Sequence, residues 1–298
     1  MFVIKYRKFF FALSGLMVGA SILAIFVWGL NLGIDFKGGS ILEIEYINKR
    51  PEVEIISQDL ETLSLGTFNL QPTGELGYLI RTRDLSEVEK ENLDNLLTLE
   101  GQFEFVEKRY TSIGPATGQE LARRGVVAIL LVVALIILFI AFVFRHVSRP
   151  VSSWRYGLVA IIALVHDIII PIGLFSFLGY WRGAEIDALF LTALLAILGL
   201  SVNDTIVIFD RIRENLRNRI SPHFTETVGI SLEETISRTI NTSLTTLFVL
   251  LSLLFFGGET TKDFALVLSL GMVIGTYSSI FLAAPLLVLF EGRASRRS

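Results

Sequence analysis

Six stretches of about 20 mainly apolar residues punctuate this 298-residue chain, and they constrain its fold more than any other feature. They are Phe9–Leu30, Gly125–Phe144, Gly157–Leu178, Ala188–Phe209, Ser243–Phe256 with a polar lead-in from Ile236, and Phe264–Phe290. Hydrocarbon offers no partner for backbone N–H and C=O groups, so segments of this kind cross a bilayer as helices. The fifth has the shortest apolar run and reaches spanning length only if Ser237–Thr242 lies within the membrane. The first follows Lys5, Arg7 and Lys8 and invites reading as a signal peptide. Its apolar run is too long for one, and no small-x-small cleavage site comes before Asn31, so it reads as a retained anchor. The expected class is an α-helical polytopic membrane protein, and a composition of 52% hydrophobic and 18% charged residues agrees. With no cysteine and three histidines, disulfides and thiolate metal sites are excluded and a His-rich metal site is not expected.

Basic residues orient the spans. The N-terminus, the Arg145–Arg155 loop, the Arg211–Arg219 loop and the Arg293–Arg297 tail are rich in Arg and Lys, whereas the opposite short loops carry Arg182 and Lys262. Both termini are therefore expected in the cytoplasm and Asn31–Arg124 outside, dividing the chain into 1–30, 31–124 and 125–298. The outer segment has 17 carboxylates against 10 basic residues, which makes nucleic acid an improbable partner. Its pattern reads strand Ile41–Ile47, helix Glu52–Ser64, strand Thr67–Leu70, strand Tyr78–Thr82, helix Ser86–Leu99, strand Gln102–Tyr110. Leu42, Ile44 and Tyr46 alternate with Ile41, Glu43 and Glu45, as in a sheet with one buried face, and Ser86 with Glu89 forms a capping-box pattern. The order βαββαβ suggests a ferredoxin-like unit. It holds no histidine and no nucleophile–base pair, so binding or leverage is expected of it rather than catalysis.

Ionisable residues inside spans are costly and face a bundle interior or a water path. Asn203-Asp204-Thr205 lies in the fourth span, with Asp204 about 9 Å above Asp210 at 1.5 Å per residue. A stripe of small residues, Thr192, Ala196, Gly199 and Asn203, predicts close packing of this helix in the bundle. In the fifth span Arg238, Asn241, Thr242, Thr245 and Ser252 fall near one face, and Arg238 lies about 10 Å in if the helix end is near Ser231. His166-Asp167 sits near the middle of the third span as a second-tier polar site; neighbours point about 100° apart, so the two are not expected to face one site, and one reads as a hydrogen-bonding strut. Gly271 and Gly275, continuing through Ser278 or Ser279, form a packing face on the sixth span.

Desolvation penalises a charged carboxylate and a nearby guanidinium favours it, so moving Arg238 toward or away from Asp204 would switch proton affinity. A proton crossing the membrane releases about 2.3 kcal/mol per 100 mV, against about 1.36 kcal/mol per pKa unit, so the scales match. Sodium is the competing ion, with Asn203, Thr205 and nearby carbonyls supplying oxygens. A static ion pair that only fixes helix register is the plainer alternative. Transporters are commonly built from repeated halves; this chain shows no internal repeat, so a second half on another chain is expected.

Four motifs carry a resemblance. Asn31-Leu-Gly-Ile-Asp-Phe-Lys-Gly-Gly39 follows the first span, and Ser112-Ile-Gly-Pro-Ala-Thr-Gly118 precedes the second. Ser201-Val-Asn-Asp-Thr-Ile-Val-Ile-Phe-Asp-Arg-Ile-Arg-Glu-Asn215 closes the fourth, and Arg238-Thr-Ile-Asn-Thr-Ser-Leu-Thr-Thr246 lies in the fifth. The first resembles the LGIDFxGG signature of the SecD/SecF family, the second its GPxxG element, and the others the span motifs of its SecF branch. The resemblance implies the six-helix half of an RND-type bundle with one periplasmic α+β ferredoxin-like domain, in the bacterial inner membrane. It implies a non-enzymatic accessory subunit of the Sec translocon that uses the proton motive force, or sodium in some relatives, for late steps of preprotein export. SecD is the implied partner in a twelve-helix unit, with SecYEG, the preprotein, YajC and membrane lipid as further contacts. No cofactor beyond the transported ion is implied. Ion passage is assigned to Asp204 and Arg238, with Asn203, Thr205, Asn241 and Thr242 as supporting polar residues. Gly38 and Gly39 would shape the turn out of the first span, with Asp35 as a cap or turn residue. The length implies one SecF-type chain rather than a SecD–SecF fusion. The rival readings are half of an RND-type exporter of lipids or small molecules, which would usually need a larger outer domain, and a scaffold whose polar residues only hold helices together. An intramembrane hydrolase is disfavoured, because neither paired catalytic carboxylates nor HExxH spacing is present.

Overall fold

Apolar length becomes helix length, but most of the helices run past their apolar cores. The computed structural model describes residues 2–63, 65–66, 68–99, 101–143 and 153–295. In chain order the helices are α1 (Phe2–Lys5), α2 (Arg7–Trp28), α3 (Ile34–Lys37), α4 (Val53–Thr62), α5 (Glu87–Leu97), α6 (Pro115–Val143), α7 (Ser153–Arg182), α8 (Ala188–Arg217), α9 (Phe224–Phe256), α10 (Glu259–Tyr277) and α11 (Ala284–Ser295). A π-helical turn, Ser278–Ala283, joins α10 to α11. The strands are β1 (Gly39–Tyr46), β2 (Asn69–Thr73), β3 (Gly77–Thr82) and β4 (Phe105–Ile113). Ser64 and Thr67 as element ends, Phe144, most of the Arg145–Arg155 loop and the end of the Arg293–Arg297 tail lie outside the described residues. The chain divides into two compact units, 1–31 with 127–298, and 32–126.

The first unit carries the helices long and apolar enough to cross a membrane: α2, α6, α7, α8, α9 and the continuous α10–π–α11 rod. The fifth span is a correction in extent. Helix α9 begins at Phe224, not near Ser231, and runs unbroken through Ser237–Thr242. Its hydroxyls turn back onto their own helix: Ser231 donates to the Thr227 carbonyl at 2.7 Å, Thr235 to Ser231 at 2.8 Å, Thr242 to Arg238 at 2.9 Å and Ser243 to Thr239 at 2.9 Å. A hydroxyl satisfied this way costs little in an apolar setting.

The expected small-residue stripe of α8 is also corrected. Thr192, Gly199 and Asn203 are exposed and Ala196 is only half-buried, so this face does not carry the packing inside the chain. Helices α8 and α10 meet instead through Gly271 and Gly275. A Cβ on Gly271 would collide with the Ile197 side chain, and one on Gly275 would stand 3.0 Å from the Ser201 Cβ. Gly173 of α7 lies against the backbone of Ser21 in α2. The apolar core of this unit gathers Tyr156, Ile208, Phe209, Ile212, Val228, Ile280 and Leu287, all at most 1% exposed.

The second unit is the expected ferredoxin-like fold. Its antiparallel sheet has the order β2-β3-β1-β4. Leu42, Ile44 and Tyr46 point into the core, with Ile56 and Leu60 of α4 and Leu93 and Leu97 of α5 packed on them. Burial pushes the pKa of the Tyr46 hydroxyl up, and that hydroxyl donates to the Leu97 carbonyl at 3.0 Å. Ser86 caps α5 in a reciprocal box with Glu89. The strands start or end a few residues from the pattern reading, β4 reaching Ile113 rather than Tyr110. The two glycine motifs of this unit touch each other. Gly38 adopts φ +81°, and a Cβ there would lie 2.7 Å from the Pro115 Cα; one on Gly118 would lie 2.7 Å from the Gly38 nitrogen. Only glycine fits both the backbone and the contact.

Candidate functional site

Asp204 projects from α8 and is 8% exposed. Its partner is a hydroxyl: Ser243 of α9 lies 3.3 Å from the carboxylate. Ser243 also lies within reach of the Thr239 carbonyl at 2.9 Å and receives the Thr276 hydroxyl of α10 at 2.7 Å. A serine has one proton to give. It can bond a carboxylate form of Asp204, or it can turn to Thr239 and accept from a protonated Asp204. Both proton states therefore have a satisfied arrangement without moving a helix.

One turn earlier on α8 lies a second buried carboxylate contact. Asp167 of α7 is fully buried and accepts from three donors: Ser201 of α8, Ser278 of the π turn at 2.8 Å, and His166 Nδ1 at 2.9 Å. Here the expectation that neighbours on a helix cannot share a site fails. The Cβ atoms do diverge, but the His166 ring, stacked on Tyr277 with ring centroids 6.0 Å apart, places Nδ1 within 2.9 Å of its neighbour's carboxylate. Tyr277 in turn donates to the Phe10 carbonyl of α2 at 3.0 Å. A third link joins Thr205 to Ser279 at 2.8 Å. Ser278 and Ser279 are adjacent, fully buried and used in different directions, where the π turn interrupts regular spacing.

Arg238 is not brought to Asp204. Among the described residues no ion pair joins them, and Arg238 is exposed, as are Asn241, Thr242 and Thr245. The side of α9 that faces inward is a different stripe, Thr227, Ser231, Thr235, Thr239 and Ser243, one residue per turn and all buried. Pattern reading passed over it, although a hydroxyl at every fourth position from Thr227 was visible in the sequence. Asp204 and Arg238 lie 13 and 14 residues from the facing ends of α8 and α9, or about 20 Å each. Nearer those ends the helices are clasped: Asn215 donates to Ser231 at 3.0 Å and to Glu234 at 2.7 Å, and Glu234 also receives Arg211 at 2.7 Å. Among the described residues no three His, Asp or Glu side chains gather as a metal-binding set.

Residues 94–293 match the family model described as protein export membrane protein SecD/SecF, C-terminal, and residues 23–46 match the SecD/SecF GG motif. Protein translocase subunit SecF of Thermobaculum terrenum is 42% identical, over 98% of this chain and 94% of the relative. The SecF of Anaerolinea thermophila is 38% identical over 96% and 92%. The crystal structure of SecDF, a translocon-associated membrane protein from Thermus thermophilus, superposes with a TM-score of 0.83 at 32% identity. It is covered over 97% of this chain and 38% of its own, so this chain spans well under half of that protein. A SecDF structure in a super-membrane-facing form gives a TM-score of 0.69 at 32% identity, over 99% and 39%.

Proposed function

Because the chain belongs to the SecD/SecF family of protein-export membrane proteins, we propose that it is the SecF-type half of an ion-driven unit that promotes late steps of preprotein export. In this reading it sits in the bacterial inner membrane with both termini cytoplasmic and the α+β unit outside. It pairs with SecD, acts beside SecYEG, with YajC as a further partner, and has no enzymatic step of its own.

The observation that carries the proposal is the contrast on α8 and α9. Asp204 is buried with a hydroxyl that can serve either proton state, while Asn203 on α8 and Arg238, Asn241 and Thr242 on α9 are uncovered. An arginine and amides on a spanning helix do not face lipid, because each unpaired polar group there costs several kcal/mol. A second polar half covering that face removes the cost, and brings a counter-surface to Arg238. Loading Asp204 with a proton from one side and releasing it to the other then biases how the halves pack. Each proton moved supplies about 2.3 kcal/mol per 100 mV, enough to shift a two-state packing equilibrium by more than tenfold.

Asp204→Asn and Arg238→Ala test this in cells that make normal amounts of the variants. Loss of membrane-potential-dependent preprotein export is expected for both; full export by both overturns the proposal. Copurification with a second six-helix chain is expected, and a stable, active lone chain would argue against the half-unit reading.

A further inference from the structure

The segment Phe2-Val-Ile-Lys-Tyr-Arg-Lys8 sets three apolar residues before Lys5, Arg7 and Lys8 where the first spanning helix begins. Val3 and Ile4 are buried in the core of the first unit beside Phe224 and Val228 of α9. That anchorage turns the other side chains outward. The helix breaks at Tyr6, with φ −98° and ψ 18°, and restarts as α2 at Arg7. Between this break and Thr225 of α9 lies an open recess of about 750 Å³, lined by Phe2, Ile4, Lys5, Tyr6, Arg7, Lys8 and Thr225.

Charge in the recess is unmatched. Among the described residues no carboxylate pairs with Lys5, Arg7 or Lys8, although other cations of this unit are paired, Arg211 with Glu214 and Glu234, and Arg213 with Asp210. Glu226, in the first turn of α9, is engaged by the Ser221 hydroxyl at 2.6 Å. Among the described residues Lys5 lies over the Tyr6 ring, 5.5 Å away. Three cations within four positions repel one another unless an anion sits between them. The surroundings are aromatic and uncovered: Phe2 is 64% and Phe9 63% exposed. Aromatic rings beside basic residues at the end of a spanning helix belong to the headgroup level of a bilayer.

An occupant must therefore carry a negative group and an apolar body. Free phosphate would answer the cations and leave Phe2 and Phe9 in water. We propose that this recess binds the headgroup phosphate of an anionic phospholipid, held by Lys5, Arg7 and Lys8, with its acyl chains beside Phe2 and Phe9. Thr225 offers a hydroxyl to the same phosphate. The site needs only that the chain lies in a bilayer and is independent of the coupling role of Asp204.

Native mass spectrometry of the full chain, with phosphatidylglycerol or phosphatidylcholine added to the detergent, tests the assignment. Phosphatidylglycerol is expected to be retained, and phosphatidylcholine lost at the same activation energy. Each neutralised cation should weaken retention about fivefold, and the combined variant K5Q/R7Q/K8Q on the order of a hundredfold. Because basic residues also set orientation, the single variants Lys5→Gln and Lys8→Gln are read first. Arg217→Gln with Arg219→Gln, exposed cations outside the recess, should leave retention unchanged. Equal retention of the two lipids, undiminished retention by the combined variant, or displacement of phosphatidylglycerol by equimolar inorganic phosphate would overturn the proposal.

Discussion

Asp167→Ala removes the acceptor that ties three stretches of the bundle, and its cost can be worked from the bonds it ends. Ser201, Ser278 and His166 all donate to this one carboxylate. A hydrogen bond to a charged group contributes about 1.5–3 kcal/mol. Two of the donors have a fallback: Ser278 already lies 3.0 Å from the Gly275 carbonyl, and Ser201 can turn to the carbonyl one turn back, as helix serines do. Removing the carboxylate also relieves its own desolvation. The net loss should be about 2–4 kcal/mol, the share of the His166 bond and the cavity outweighing the rest. For a unit of this size that lowers the thermal midpoint by about 5–15 °C. Asp167→Asn keeps one acceptor oxygen and should cost about half as much. Thermal scans of the full chain in one detergent at one scan rate measure this, because membrane-protein unfolding is commonly irreversible and the midpoint depends on rate. Hydrogen exchange in α8 and α10 should accelerate together in Asp167→Ala. An unchanged midpoint for Asp167→Ala would refute the reasoning, as would an Asp167→Asn variant as unstable as the alanine one.

Gly173→Ala should separate α2 from α7, since the new methyl meets the Ser21 backbone, which cannot yield as a side chain can; a thermal midpoint well below that of Gly15→Ala, where nothing lies within 4 Å and about 0.5–1 kcal/mol of helix propensity is gained, checks it. Gly38→Ala should loosen β1 and β4, because a residue with a Cβ costs about 1–3 kcal/mol at φ +81° and ψ 157° and also strikes Pro115; faster amide exchange along these strands in the intact protein is the readout. The Arg83 guanidinium, with Ser86, holds the Glu89 carboxyl down from 4.5 to about 2. Its folded value is below its unfolded one, so the stabilisation is complete above about pH 4.5 and fades as pH falls toward about 2; Glu89→Gln should flatten that part of the unfolding profile of the α+β unit.

Much of this architecture could be read from residue order because the rules involved are one-dimensional. Apolar length marks a span, and alternation marks the buried face of β1, where Leu42, Ile44 and Tyr46 are at most 1% exposed. Ser86 with Glu89 is a local bond, and it forms. What could not be read depends on a side chain's reach or on a third element. The His166 ring reaches its neighbour because imidazole is long enough to undo a 100° divergence at Cβ. The three donors to Asp167 converge only because α8 and the π turn are both packed on α7, and no spacing rule for one helix encodes that.

Helix α9 shows the limit most sharply, since it has two polar faces and the pattern marks both as places to avoid lipid. Chemistry separates them. The Thr227–Ser243 stripe consists of hydroxyls that close onto carbonyls of their own helix, so it can be buried against α8 at little cost, and Ser243 gives its one proton to Asp204 only when it leaves the Thr239 carbonyl. Arg238 has five N–H donors in a fixed fork and no acceptor, and its own helix cannot satisfy them. Burying it inside this bundle without a carboxylate would strand a charge, and Asp204 is already engaged with Ser243. In the proposed half-unit the face that holds Arg238 is completed from outside the chain, and the exposure of this one residue supports that reading independently of the sequence pattern.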